Sequence, residues 1–600
     1  MAEFKPMIIT NKGQALIAKM MSGGGKIEFT KISISDVAYS DSQILAMTSI
    51  SGVKQTTLVS RVTKTGNAAV QVEGAVTNTS LTVGYNMKTI ALHALDPQDG
   101  EIIYAACGAT VPGWFPPYNG VSTSGAFLKL VTTVSNAKDV KIEVDPAAVA
   151  TVGDIKDLQK QISDLQAYVG YTNHDIYGVE VDFKNRRFTR LAGASNMTAG
   201  AMFDSINAFG GRKRCNLTDK GQVIAYYGDA GYSETGVLTQ TIDLNDPETE
   251  SDPEKIFSTG TKVQVMVEQP KFYYKVVPLE LEKVEGGKGF HMRKVRYYVS
   301  DTKKDGFKLH PAFIQNGVEK DKIYLSAFEG STFDTSAAAY KLNDAQDVDF
   351  VNDLLASIAN AKPTSGLSQS GATRDGFRKI AAKRGKGWSQ ATIQSASATE
   401  MLFLVEYASF DMQKNIGVGV TTKSDDSKTS MTEITGATTH LGNKTGSVTN
   451  SNGFNVVSYR GEENFFGNIW KWIDGINIYN YNEGSIHIAD HDFVDNSKDA
   501  SYKDAGITIA GKHGYVSAFG YNEDFDWLFI VSETDGNSSL PVGDYFYQAK
   551  AQSYYTVAIL GGSWIYGSDA GGFYWSVNDG SSDRYRSIGG RLLYVPQAQA

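Results

Sequence analysis

Residues Gly561–Pro596 read GGSWIYGSDAGGFYWSVNDGSSDRYRSIGGRLLYVP. Two kinds of position interleave here. Gly561, Gly562, Trp564, Gly571, Phe573, Trp575, Ile588, Gly589, Gly590, Leu592 and Leu593 read as scaffold. Between them stand Ile565, Tyr566, Asp569, Tyr574, Asn578, Asp579, Asp583 and Tyr585. Aromatic and polar tips of this kind give large contact area at low entropy cost, together with hydrogen bonds. These eight are the candidate contact residues. Trp564, Trp575, Trp470 and Trp472 are expected to pack the scaffold. The alternative is an ordinary glycine-rich β segment with exposed turns.

Upstream of this block the chain reads as β hairpins with few helices. Val179, Val181 and Phe183 alternate before Lys184-Asn185, and Phe188 lies on the return. Val263, Val265 and Val267 alternate, as do Val295, Tyr297 and Val299. Gly286–Gly289 lacks phosphate-loop spacing and reads as a hairpin turn. Asp243–Glu254, rich in acids and proline, reads as a loop. Val351, Leu354, Leu355 and Ile358 have helical spacing before Pro363. Ile393, Met401, Leu404, Val405 and Ala408 mark a second, more buried helix. Thr421–Asn450, rich in Ser, Thr and Gly, predicts a long exposed loop. Arg374–Lys386 is the one dense basic run, read as a solvated surface or as partners for carboxylates. His487 and His491 lie four apart, but Ile486–Ile488 reads as a strand, so no metal site is expected there.

At the other end, Asn11–Met21 predicts a short helix capped by Thr10 or Asn11. Gln55–Val59 and Leu128–Val134 predict strands. Residues 1–150 thus form an α+β unit closing near Asp145-Pro146. Residues 151–170 differ. Ile155, Leu158, Ile162, Leu165 and Val169 are spaced three, four, three, four, which is a heptad seam barely two repeats long. It is either one amphipathic helix of its own domain or a coiled-coil neck where identical chains associate. Ile at one core position with Leu at the other leans toward two strands.

Composition narrows the function. The chain has 600 residues, which at roughly 150 per domain suggests about four domains. A formal net charge of −9 argues against nucleic acid as the main partner. Two cysteines, Cys107 and Cys215, exclude a disulfide framework. No basic-then-apolar leader and no run of about 18 apolar residues occurs, so neither a secretory signal nor membrane insertion is expected. No catalytic set, cofactor or metal site is identifiable, and the chain is read as a non-enzyme.

Two resemblances sharpen this. Residues 4–150 resemble the N-terminal domain of phage tail-fibre and tail-collar proteins, in FKPMIITNKGQALIAKMMSGGGKIEFTKISISD, KQTTLVSRVTK, VEGAVTNTSLTVGY and VDPAAVATVGDI, the last running on to Ile155. That resemblance implies attachment to baseplate proteins of the tail. KFYYKVVPLELEKVEGG, DGFKLHPAF, YRGEENFFGNIWKWIDGINI, SAFGYNEDFDWLFIVSETDGNSSLPVGDY and the final block look like phage receptor-binding heads with a C-type-lectin-like fold. The final block is similar to the variable region of tropism determinants diversified by retroelements through adenine-directed mutagenesis. From Ile565 to Ser587 only Trp575 is a residue type such codons cannot produce. The fold class also holds formylglycine-generating enzymes, but their chemistry uses cysteines and none follows Cys215. The sugar-binding motifs EPN, QPD and WND of calcium-dependent lectins are absent as well.

The expected protein is multidomain and mostly β with α+β parts. It has an attachment domain (1–150), a helical neck (151–170), a β-rich connecting region (171–260) and a lectin-like head (261–600). The resemblance implies a homotrimeric tail fibre of a virion. Such a fibre is made in the host cytoplasm, freed by lysis, and binds a bacterial surface receptor, protein or glycan. A polysaccharide depolymerase tailspike, or the fibre of a phage-derived tail-like bacteriocin, is the alternative.

Overall fold

The computed structural model describes residues 2–23, 27–65, 69–118, 120, 123–133, 144–145, 171–246, 248, 250–342, 347–365, 370–424, 432–479, 484–495, 501–548 and 555–597. The chain divides into two compact units, Met1–Leu165 and Gln166–Ala600. Both are mostly β with few helices. The heptad positions Ile155, Leu158, Ile162, Leu165 and Val169 lie outside the described residues.

In the first unit, the Asn11–Gly23 helix begins where expected. Thr10 is its cap: the Gly13 N–H donates to Thr10 Oγ1 at 3.0 Å, and that hydroxyl donates to the Ile103 carbonyl at 2.6 Å. A sheet built on Glu28–Ser35, Val53–Leu58, Tyr85–Asp96 and Gly100–Phe115 accompanies a second sheet of Arg61–Thr65, Ala69–Thr77, Gly125–Thr133 and Val144–Asp145. Ile32, Ile34, Val72, Ile90, Leu128 and Leu130 form the core between them. The alternation expected over 128–134 holds through Leu128, Leu130 and Thr132, all buried. Val134 lies outside the described residues.

In the second unit three large sheets dominate. The first joins Arg187–Ala192, Tyr177–Asp182, Phe290–Ser300, Tyr273–Lys283 and Lys308–Leu309. The hairpin expected at 179–188 forms in register, with Val181 opposite Phe188. Asp182 closes its turn by accepting the Asn185 N–H at 2.9 Å. The second sheet runs Val223–Tyr226, Lys213–Leu217, Gln264–Pro270, Lys322–Ser326, Leu592–Tyr594 and Trp388–Gln390. Strands from 171–260 therefore sit beside strands from 264–326 and 592–594. Tyr177–Asp182 pairs with Phe290–Ser300 and Lys213–Leu217 with Gln264–Pro270, so two strands of the expected connecting region 171–260 share sheets with the strands that follow it. The third sheet, of eight strands, centres on Trp470–Tyr479 and Tyr555–Leu560.

The Ile393–Tyr407 helix lies at the heart of this unit. Every residue from Ile393 to Glu406 is buried, so it lacks the polar face of a surface helix. A capping box of Thr392 and Ser395 starts it, and Ala408, with φ 50°, ends it in the left-handed region.

Two sequence expectations need correction. Val351–Ile358 is not a helix. Asp349 accepts the N–H groups of Val351 and Asn352 in a turn, and Leu354–Ala356 pairs with Ser331–Asp334 as a strand. Val351, 71% exposed, is not part of an apolar face. Four apolar residues at helical spacing are too few to outweigh a sheet partner. Next, the described part of 421–450 is not an exposed loop. Thr421, Thr432, Glu433, Thr435 and Thr438 are buried, and Gly446–Thr449 is a strand. Hydroxyls there are satisfied inside: Thr435 Oγ1 donates to the Ile358 carbonyl at 2.8 Å, and Thr438 Oγ1 to Glu463 Oε2 at 2.6 Å. Of the two readings of the basic run 374–386, carboxylate pairing holds for its arginines, while Lys379, Lys383 and Lys386 are exposed. Arg374 is fully buried, Arg378 pairs with Asp474 (2.6 Å) and Asp495 (2.8 Å), and Arg384 pairs with Asp219 (2.5 Å).

Candidate contact surface

The block after Tyr555–Leu560 is shaped by its glycines. Gly562 has φ 72°, and a Cβ there would lie 2.8 Å from the Ala570 Cβ. A Cβ on Gly571 would lie 2.1 Å from Asp544 Oδ1. Asp544 in turn accepts the Phe573 N–H at 2.7 Å, fixing the chain as it enters the Trp575–Ser576 strand. That strand pairs antiparallel with Tyr555–Leu560 and parallel with Tyr545–Tyr547. Trp564, Trp575, Trp470 and Trp472 are all buried, as the sequence predicts. Behind the block, burial holds the carboxyls of Asp544 and Glu400 well above the ordinary carboxylate range.

On this support the candidate residues separate into two groups. The first is the turn Ile565–Asp569. Ile565 is 40% exposed, while Tyr566 and Asp569 are half-buried. The second is the loop Asn578–Tyr585. Tyr585 is 49% exposed, and Asn578, Asp579 and Asp583 are half-buried. Its stems are tied down by backbone: the Val577 N–H donates to the Tyr547 carbonyl (3.0 Å), the Val557 N–H to the Asp579 carbonyl (2.9 Å), and the Trp470 N–H to the Ser587 carbonyl (2.7 Å). The Gly580 N–H donates to Asp583 Oδ2 at 2.9 Å. Burial first, and the Asp583 charge second, raise the Asp579 carboxyl from 3.8 to about 6; the Ser576 hydroxyl opposes them weakly. Burial and the same two acids also raise the Tyr585 phenol.

Tyr574 belongs to neither group. It is 2% exposed, and its ring lies 4.6 Å from Trp470, 5.5 Å from Tyr566 and 5.9 Å from Tyr545, centroid to centroid. It packs the scaffold and is not a contact residue. Its neighbour Trp575 is also buried, because the irregular chain here does not alternate faces.

Sequence reasoning missed four rings beside the first group: His513, Tyr515, Tyr545 and Tyr547. Tyr515 Oη donates to Asp569 Oδ1 at 2.5 Å, joining them to the predicted turn. The period-two alternation of Tyr545-Phe546-Tyr547 is the signal that shows them. His487 lies on the Ser485–Ile488 strand, as expected, and His491 rests against Asp490. Among the described residues no three His, Cys, Asp or Glu side chains gather as metal ligands would. Cys107 and Cys215 are buried and unpaired.

No known family's profile matches this chain, and no curated protein does. Among solved structures, it is similar to the Major Tropism Determinant U1 variant, with 12% identity and a TM-score of 0.21 over 68% of this chain and 77% of that chain. The P3c variant gives 11% identity and a TM-score of 0.22 over 66% of this chain and 73% of that chain.

Proposed function

We propose that this protein is a phage tail fibre that attaches the particle to a bacterial surface. In this reading the Met1–Leu165 unit docks to baseplate proteins, and the Gln166–Ala600 unit is a lectin-like head that adheres to a surface receptor. One observation carries it. Two irregular segments, Ile565–Asp569 and Asn578–Tyr585, present aromatic and polar tips outward from a frame pinned by buried tryptophans and fixed backbone bonds. A rigid frame lowers the entropy cost of binding through such tips. The sequence blocks that resemble tail-fibre attachment domains and receptor-binding heads support the same reading.

The action is adhesion without catalysis. Chains associate through Ile155, Leu158, Ile162, Leu165 and Val169 into trimers, and several heads per particle turn modest affinity into avidity. The protein works on the virion tail, after synthesis in the host cytoplasm and release by lysis. The test is cell binding by the labelled full chain across a bacterial panel, beside a variant with Ile565, Tyr566, Asp569, Asn578, Asp583 and Tyr585 changed to serine. Selective binding by the parent, lost in a variant that still melts cooperatively, is the expected result. Retained binding moves the site elsewhere. Release of reducing sugar from cell-wall material by the parent overturns the non-catalytic reading. Light scattering reads the oligomeric state, with Leu158→Lys and Leu165→Lys expected to give single chains.

A further inference from the structure

The four rings that the sequence reading missed lie on one face of a two-stranded ribbon. Gly514–Tyr515 pairs antiparallel with Tyr545–Tyr547, with Tyr515 opposite Tyr545 and Gly514 opposite Phe546. Side chains alternate along a strand, so His513 and Tyr515 share a face with Tyr545 and Tyr547, while buried Phe546 points the other way. The His513 ring lies 5.6 Å from Tyr547 at 20° between planes, and 6.3 Å from Tyr545 at 28°. Tyr515 meets Tyr545 edge-on at 5.2 Å. Gly514–Tyr515 is the last strand of its sheet, so no further described strand pairs beyond it. His513 is exposed, Tyr547 is 41% exposed, and Tyr515 and Tyr545 are half-buried.

At the sheet edge the His513 ring stacks on those of Tyr547 and Tyr545, an aromatic cluster whose polar atoms are phenol oxygens and imidazole nitrogens. At one end Asp569, held by the Tyr515 hydroxyl, supplies a carboxylate. Among the described residues its side-chain partner is that hydroxyl, and no ion pair is formed to it. This arrangement complements a sugar ring, which has a flat C–H face and hydroxyl donors around its edge. An aliphatic protein epitope would leave the rim acceptors and the carboxylate unpaired when buried, which costs free energy.

We propose that this ribbon face is a sugar-stacking platform, with Asp569 accepting hydroxyls at its end, and that the receptor is therefore a pyranose polymer of the bacterial surface. This rests on the attachment reading and names the receptor class. Ring stacking on Tyr547 and His513 then adds to the contacts of the Ile565–Asp569 turn, which the platform adjoins.

The experiment uses the labelled full chain and cells of a strain it binds, in three states: untreated, shaved with protease, and oxidised with mild periodate, which cleaves vicinal diols. Binding that survives protease and falls with periodate is expected. Tyr547→Ala and His513→Ala should each weaken binding about tenfold with the melting temperature unchanged, and Tyr547→Phe, which keeps the ring face, should bind like the parent. Binding destroyed by protease and spared by periodate overturns the sugar receptor while leaving attachment intact. Alanine variants that fold and bind like the parent overturn the platform. A parent chain that binds no strain of the panel overturns attachment and, with it, this inference.

Discussion

Tyr459–Trp472 (YRGEENFFGNIWKW) and Ile565–Tyr585 are written in similar letters: glycine, tryptophan, asparagine and acid. They end in opposite environments. Every residue from Val456 to Ile478 is buried. Its charges are answered inside: Arg460 grips Glu406 through Nε and Nη2, both at 2.7 Å, Arg212 meets Glu462 at 2.8 Å, and Lys471 meets Glu329 at 3.1 Å. In Ile565–Tyr585, by contrast, Asp569, Asp579 and Asp583 accept single bonds from Tyr515, Ser576 and Gly580, and no described cation pairs with them. The difference teaches that polar residues serve as frame or as contact according to whether a partner meets them from another element. The first segment holds the second: the Trp470 N–H and the Trp470 ring both support it.

Predictions follow that contrast from the largest effect down. Glu406→Ala strands the Tyr459 hydroxyl and leaves the buried Arg460 guanidinium with Asp204, at 3.0 Å, as its remaining ion-pair partner. The expected cost is about 3–5 kcal/mol, read as a fall in the urea midpoint, with binding lost only as the protein unfolds. A stability change as small as a surface substitution would show that water replaces the carboxylate. Gly571→Ala drives a methyl into the Asp544 carboxyl and should cost about 1–3 kcal/mol, while also shifting the contact loop. Here cell binding is expected to weaken before the melting temperature drops below the assay temperature.

A smaller effect is set by pH. Asp579 holds its proton to about pH 6 in the folded state, against an ordinary value of 3.8. Its folded value is raised, so the folded state binds more protons between these values. The contribution is full below pH 4 and declines as pH rises through 6. Asp579→Asn should flatten the melting temperature over that window, and an unchanged slope would place the carboxylate in open water. Smallest of all, Tyr585→Ser should alter stability by no more than about 0.5 kcal/mol, measured by urea unfolding, because nearly half of the side chain is already in solvent.

The hairpin at Val179–Phe188, the cap at Thr10, the buried helix at Ile393–Tyr407 and the packing of four tryptophans were legible in the sequence. Each depends on local turn chemistry or on apolar residues with no polar alternative. Seven of the eight candidate contact residues stand at least partly exposed; Tyr574 does not, because Trp470, Tyr566 and Tyr545 enclose it.

The sequence by itself determined the mostly β class and the local turns, among them the two partly exposed segments Ile565–Asp569 and Asn578–Tyr585, since period, glycine and turn residues act over a few neighbours. Tertiary structure decided everything that depends on a distant partner. Residues 171–260 join later strands because open ladders demand pairing. The Ser/Thr-rich stretch after Thr421 is drawn inward because Glu463 and the carbonyls near Ile358 receive its hydroxyls. Arg374 is buried and Arg378 partly so because Asp474, about a hundred residues on, offsets the cost of removing their charge from water. The ring face of His513, Tyr515, Tyr545 and Tyr547 exists only because two strands some thirty residues apart align in antiparallel register.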